Sequence, residues 1–365
     1  MAEIRLSNLH KSFDDFVAVR NTNLVIENNQ FFVLLGPSGC GKTTTLRMIA
    51  GLELPTSGEI RIADEDVTFR RARERDIAFV FQLFALYPHM NVRQNIAFPL
   101  KAQGTPGREI RQRVEETARL LRIDHLLDRP VGGLAGGDRQ RVALGRAIVR
   151  RPMAFLMDEP LGTLDAAFRE LMCEELRGLH DRIGATTVYV THDQIEALAM
   201  ADIIAVMNDG EVLQTATADE IYHRPKALFV ASFIGSPAMN FLTCEGDLPA
   251  GSTKTRIAGV EVAMPRLHED AVQPELVYGI RPEHVSLDDA AALRGEVFGV
   301  EYMGARQIVT IDSAAGRLRA RIANTIRAEI GEQVGIAFNG DAAILFDPSD
   351  DKALMSDLFA EVGHG

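Results

Sequence analysis

The apolar positions of this chain fall into three successive textures. From about residue 3 to 35 they alternate as in β-strands, at Ile4 and Leu6, Ala18 and Val19, and Leu24 to Ile26, and end in the unbroken run Phe31 to Leu35. Strand-like pieces follow at Glu59 to Ile62 and Asp76 to Phe81. Between about 90 and 150 the spacing turns helical and arginine-rich, and Arg108 to Leu121 reads as an amphipathic helix. Short buried-strand runs return at Met153 to Met157, Thr187 to Val190 and Asp202 to Met207, with helical stretches between them. Such alternation predicts an α/β unit with a mostly parallel sheet, carrying a helical insertion at about 88–150. Beyond residue 236 glycine and proline punctuate short alternating stretches, as at Gly279 to Pro282, Gly295 to Glu301 and Gly335 to Asn339. That texture predicts a small all-β domain. Ser236 to Asn240 is the natural joint, so the expected domains are 1–235 and 236–365.

Composition narrows the picture. At 365 residues the chain has room for two or three domains, and 46% hydrophobic with 25% charged residues is ordinary globular composition. A net charge of −12 argues against nucleic acid or an anionic membrane face as the main partner. The three cysteines, Cys40, Cys173 and Cys244, are far apart and odd in number, which fits neither a disulfide framework nor a metal knuckle. A cytosolic location follows as the default. No apolar run approaches the ~20 residues needed to span a bilayer, and the first residues lack an apolar signal core. Membrane association is therefore expected to come through a partner protein.

Candidate chemistry begins at Gly36, Pro37, Ser38, Gly39, Cys40, Gly41, Lys42, Thr43 and Thr44, which fit G-x-x-x-x-G-K-[ST] without mismatch. The motif follows an apolar run and precedes the helical Leu46 to Ala50, the strand, loop and helix context it requires. Glycines let backbone N–H groups point at a phosphate chain, and the helix adds its positive end. Lys42 is expected to reach the β- and γ-phosphates and the Thr43 hydroxyl to ligate Mg²⁺. Cys40 is read as a small residue that fits the loop; the alternative is that the nearby helix N-terminus lowers its pKa, so that MgATP would protect it from alkylation.

Ala154 to Asp158 is an apolar strand ending in two carboxylates. Asp158 would hold Mg²⁺ through water, and Glu159 would stand where a general base is needed. Gln82, at the end of Ile77 to Phe81, would reach Mg²⁺ and the attacking water. His192, after the strand Thr187 to Val190, would lie near the γ-phosphate. Singly, these are a strand-end cap, a solvated glutamine and a structural histidine. In this order behind a phosphate loop they read as one catalytic set.

The segment Leu134 to Arg141 opens a second helix with a glycine pair. One nucleotide has no need of two helix-N-terminal anion sites from one subunit, so this one is read as serving a nucleotide bound by another. With this segment the chain resembles the ATP-binding cassette superfamily, whose signature is L-S-G-G-Q. Gln82 to His89, Asp158 to Pro160 with Leu164 to Ala166, Phe233 to Phe241 and Gly279 to His284 all look like ATPase subunits of carbohydrate importers, over nearly the whole chain. The resemblance implies a P-loop NTPase domain followed by a small oligonucleotide-fold-like regulatory domain. It also implies that Phe13 stacks on adenine, that ATP and Mg²⁺ are bound, and that Ala135, Gly136, Gly137, Asp138 and Asp165 face the opposite subunit's nucleotide. The implied partners are a second ATPase subunit (identical or related), two membrane permease subunits and an extracytoplasmic solute-binding protein. The implied location is the cytoplasmic face of the inner (plasma) membrane, with the region from Phe84 to Pro99 as the permease socket. The implied activity is ATP hydrolysis energising uptake of a sugar, polyol or glycerol-phosphate-like solute. Polyamine, iron or sulfate import and a soluble non-transport ATPase are the other readings.

Departures from the pattern cluster. Ala135 stands for the signature serine, Asp138 for its glutamine, and Gly162-Thr163 for the usual Ser-Asn. All concern what this chain offers to a nucleotide held by the opposite subunit, whereas Lys42, Thr43, Gln82, Asp158, Glu159 and His192 match. The lent half-site is therefore expected to be weakened and not dead. Two arrangements follow: a homodimer with slow turnover, or a heterodimer with one complete site.

Overall fold

A computed structural model describes residues 2–360 apart from 83, 84, 163 and 165. The chain divides into two compact units, Met1–Ala218 and Asp219–Gly365.

The first unit opens with β1 (Ile4–Phe13) and β2 (Phe16–Ile26), paired antiparallel. β3 (Phe31–Leu35) then enters a different sheet, and α1 (Lys42–Ala50) follows the glycine-rich loop. β4 (Ser57–Ile62) and β5 (Glu65–Asp66) return to the first ribbon, completing a four-stranded sheet in the order β2-β1-β4-β5. β6 (Ile77–Val80) leads to three helices, α2 (Val92–Ala102), α3 (Gly107–Leu120) and α4 (Gly136–Ile148). β7 (Ala154–Asp158), α5 (Ala166–Ile183), β8 (Thr186–Thr191), α6 (Gln194–Met200), β9 (Ile203–Asn208) and β10 (Glu211–Ala216) complete the unit. The second sheet has six strands ordered β10-β9-β3-β8-β7-β6, parallel except for β10.

Beside the mostly parallel sheet that was expected stands a separate antiparallel one. Its physical sign was in the pattern: β1 and β2 alternate buried and exposed residues, whereas β3, β7 and β8 are buried at every position. Alternation marks a sheet covered on one face, and continuous runs mark strands covered on both. α1 shares one apolar core with both sheets, in which Leu46 and Ile49 join Ile4, Leu6 and Ile26 and also Phe32 and Leu34. Its far end is held by a buried arginine. Arg75 donates to Met48 O at 2.7 Å and Ile49 O at 2.8 Å, two carbonyls of the last helical turn. Burial pulls the Arg75 guanidinium down to about 10.

The second unit begins with α7 (Ala218–His223) and α8 (Leu228–Phe233). Its strands are β11 (Asn240–Glu245), the hairpin β12 (Lys254–Ile257) and β13 (Val260–Ala263), β14 (Glu275–Ile280) and β15 (Val285–Leu287). β16 (Leu293–Met303), β17 (Arg306–Ser313), β18 (Gly316–Ala323), β19 (Gln333–Phe338) and β20 (Ile344–Phe346) follow, before the short α9 (Asp357–Ala360). They form sheets ordered β11-β14-β20 and β15-β19-β16-β17-β18 around one core that includes Leu242, Tyr278, Val297, Ile311 and Ile336. α7 and α8 belong with these strands because Arg281, buried at the end of β14, donates to Tyr222 O at 2.7 Å and to Ala231 O and Ile234 O.

Candidate nucleotide site

The site is built at the C-terminal ends of β3, β7 and β8, where a parallel sheet delivers its loops to one edge. Residues 36–41 turn tightly after β3. Gly39 and Gly41 adopt φ of 83° and 103°, a region that disfavours any side chain. Gly41 is doubly constrained, since a Cβ there would lie 2.3 Å from Ala18 O; at Gly36 it would lie 2.2 Å from Met207 O. The Lys42 side chain is buried and curls back across the loop, where its Nζ donates to Gly36 O and Pro37 O, both at 2.8 Å. Pro37, Thr43 and Thr44 are half-buried, and Ser38 is exposed.

Thr43 Oγ1 donates to Asp158 Oδ1 at 2.8 Å, joining the helix start to the end of β7. Burial pushes the Asp158 carboxyl up, opposed by this hydrogen bond. Glu159 takes a positive φ of 43°, rare for a residue with a side chain, as its backbone leaves the sheet. Its carboxylate meets two side chains: His192 Nδ1 stands 3.2 Å from Oε1, and Gln82 Nε2 donates to Oε2 at 3.3 Å. The structure thus brings Lys42, Thr43, Asp158, Glu159, Gln82 and His192 to one edge of the sheet. Phe13 ends β1 with its ring 42% exposed, and the Lys11 ammonium lies 4.5 Å from the ring centroid.

The second glycine-rich helix start opens α4. Ala135 is the N-cap of α4, with extended backbone and no side-chain cap, because a methyl group accepts no hydrogen bond. Gly136 and Gly137 form the first turn, and a Cβ on Gly137 would lie 2.1 Å from Phe168 Cζ of α5. Asp138 suits the helix dipole, and Arg141 Nη1 stands 3.7 Å from its Oδ1. Arg141 also makes a two-pronged contact with Glu175, at 3.1 and 2.9 Å. Asp165 and Thr163 lie outside the described residues, as do Leu83 and Phe84.

Comparison with known proteins decides the family. The ABC transporter family model matches residues 19–162, the MalK OB fold domain model residues 235–285 and the TOBE domain model residues 278–346. The chain is 45% identical over 374 residues to the trehalose/maltose import ATP-binding protein MalK of Thermococcus litoralis, covering 97% of this chain and 100% of that one. This chain belongs to the ABC transporter ATP-binding proteins. It is also 53% identical over 302 residues to the trehalose import ATP-binding protein SugC of Mycobacterium tuberculosis, covering 80% of this chain and 75% of that one. Among solved structures, a dimeric bacterial ABC transporter cassette superposes with a TM-score of 0.53 at 33% identity, covering 59% of this chain and 98% of that one. This ABC ATPase therefore has the expected fold: a P-loop NTPase cassette followed by an oligonucleotide-fold and TOBE-type β unit. It uses ATP. Among the described residues no helix is long and apolar enough to cross a membrane.

The alternative reading of Cys40 is not supported. The Cys40 thiol is buried, and burial pushes it up, outweighing the Lys42 ammonium 3.7 Å away. Sequence reasoning also passed over Arg169, Asp193 and Glu196, which surround the His192 loop. Asp193 Oδ1 caps α6 by accepting from Ile195 N at 2.8 Å. The Thr191, His192, Asp193 sequence before a helical stretch carried that capping signal.

Proposed function

We propose that this chain is the ATP-hydrolysing subunit of an importer for a sugar, polyol or related solute. The observation that carries this reading is the Glu159 carboxylate, contacted by His192 and Gln82 and flanked by the Lys42 and Thr43–Asp158 pairings, in a chain similar end to end to sugar-import ATP-binding proteins. In this reading the loop from Gly36 to Thr44 cradles the phosphates and Lys42 leaves its loop carbonyls for the β- and γ-phosphates. Phe13 stacks on adenine. Glu159 takes the proton from the water that attacks the γ-phosphorus as the bond to the β-phosphate oxygen breaks. His192 fixes the geometry of the γ-phosphate and of Glu159.

Mg²⁺ fits the same donors. The Thr43 hydroxyl, the Gln82 amide oxygen and the Asp158 carboxylate (through water) are hard oxygen ligands, and no group of three metal-binding side chains stands among the described residues. Phosphate oxygens and water would complete the shell, as this cation prefers. When bound, the ion neutralises charge building on the phosphates.

The lent half-site, Ala135 to Asp138 with Asp165, serves the nucleotide of a second ATPase subunit, either identical or related. The lost hydroxyl at Ala135 favours a related partner with an intact signature. Two permease subunits and an extracytoplasmic solute-binding protein complete the system, and the chain sits peripherally on the cytoplasmic face of the membrane. The test is reconstitution with the membrane subunits and screening of solutes. ATP turnover stimulated by a sugar or polyol with its binding protein supports the reading; stimulation only by a polyamine, iron complex or sulfate overturns the solute class.

A further inference from the structure

We infer that Arg169, on the first turn of α5, is a positioning residue for ATP hydrolysis that holds the Glu159 and His192 loops in one fixed relation. This rests on the proposed roles of those two residues.

Glu159 and His192 lie on separate loops, after β7 and β8. Their 3.2 Å approach requires that the two loops not slide past each other. On the first loop Gly162 N donates to Glu159 O and Leu164 N to Leu161 O. Further along, Leu164 O accepts from Arg169 Nη2 at 3.0 Å. The second loop is gripped by the other side of the same guanidinium, since Arg169 Nη1 donates to Asp193 Oδ2 at 2.8 Å. Contacts therefore link Glu159 to Gly162, Leu161 to Leu164, Leu164 to Arg169, Arg169 to Asp193, and His192 back to Glu159.

These links are braced from inside. Arg169 Nε stands 3.5 Å from Glu196 Oε1, and the other oxygen of this buried carboxylate accepts from Tyr189 Oη at 2.7 Å and Thr191 Oγ1 at 2.8 Å. Thr191 Oγ1 in turn accepts from Asp193 N at 3.0 Å. Only a planar fork donates to Leu164 O and Asp193 from two separate nitrogens while keeping its charge beside Glu196, to which Nε makes an ion pair and no hydrogen bond; a lysine ammonium has one centre. Nothing in these links places Arg169 against ATP itself, so its removal acts on the reacting geometry through other residues.

The experiment measures ATP turnover and nucleotide affinity in the full chain carrying Arg169→Gln, Arg169→Lys, His192→Ala and the Arg169→Gln/His192→Ala pair. Arg169→Gln is expected to lower kcat roughly tenfold to a hundredfold, with KM and the affinity for a fluorescent ATP analogue changed less than about threefold. Arg169→Lys is expected to recover part of the loss. On the His192→Ala background the same change is expected to cost less than about twofold, because both act on one arrangement. Retained nucleotide affinity shows that the variants fold. A kcat within twofold of the parent, affinity lost in step with kcat, or full additivity with His192→Ala each overturns the inference. His192→Ala without effect on turnover overturns the underlying reading of the site, and the inference falls with it.

Discussion

Two helices in this ATPase begin at glycine-rich turns, and they are held in different ways. α1 starts after a loop pressed into the sheet, where Met207 O and Ala18 O leave no room for side chains at Gly36 and Gly41 and Lys42 is bound by two loop carbonyls. α4 starts with an uncapped Ala135, and its close constraint is Phe168 of α5 beneath Gly137. Gly136 has only an ordinary contact with Leu164 Cδ2 at 3.6 Å. A half-site serving its own chain can be encased by that chain's strands. In the proposed arrangement the other half-site faces a second subunit and must stay open, so it depends on the few groups behind it. The departures of the sequence lie on the second kind.

The comparison predicts unequal responses to substitution. The largest effect belongs to the encased site: Glu159→Gln should cut ATP turnover by about 10²–10⁴-fold while leaving ATP binding intact. Steady-state hydrolysis beside a nucleotide-binding titration checks this, and turnover near that of the parent would remove Glu159 from the chemistry. Next comes Gly137→Ala, whose methyl group would lie 2.1 Å from Phe168 Cζ, so that the ring, α4 or the first turn of α5 must give way. Turnover should fall roughly tenfold to a hundredfold, with a stability loss of about 1–3 kcal/mol in thermal unfolding. Unchanged turnover would mean that Phe168 swings aside freely and that α5 does not support the open half-site.

How much of this was legible beforehand follows from the range of the interactions. Gly36 to Thr44, Asp158, Glu159 and His192 stand out because each lies at the end of an apolar run, and a parallel sheet gathers such ends at one edge. The fold class was legible for the same reason. The separate β1–β2 sheet was less so, because alternation reports a single covered face and not which sheet a strand joins. Arg169 was not legible: its partners Leu164, Asp193 and Glu196 meet only once α5 and α6 are packed, and an arginine on a helix is ordinarily solvated. Phe168 under Gly137 joins residues far apart in the chain. The direction of the Cys40 shift was not legible, because a motif fixes proximity to Lys42 but not depth of burial, and burial decides it. The grouping of α7 and α8 with the β unit depends on Arg281, which caps both helices from β14.

The smallest expected effect carries the central claim, that the nucleotide loop is complete and the lent half-site is weakened. The measurement is ATP turnover at saturating MgATP for the full chain carrying Ala135→Ser together with Asp138→Gln. A serine here regains a hydroxyl able to make a charge-assisted hydrogen bond of about 1.5 kcal/mol, so turnover should rise roughly tenfold while ATP affinity of the intact loop stays within about twofold. Turnover that stays level or falls, with nucleotide affinity unchanged, would contradict the account.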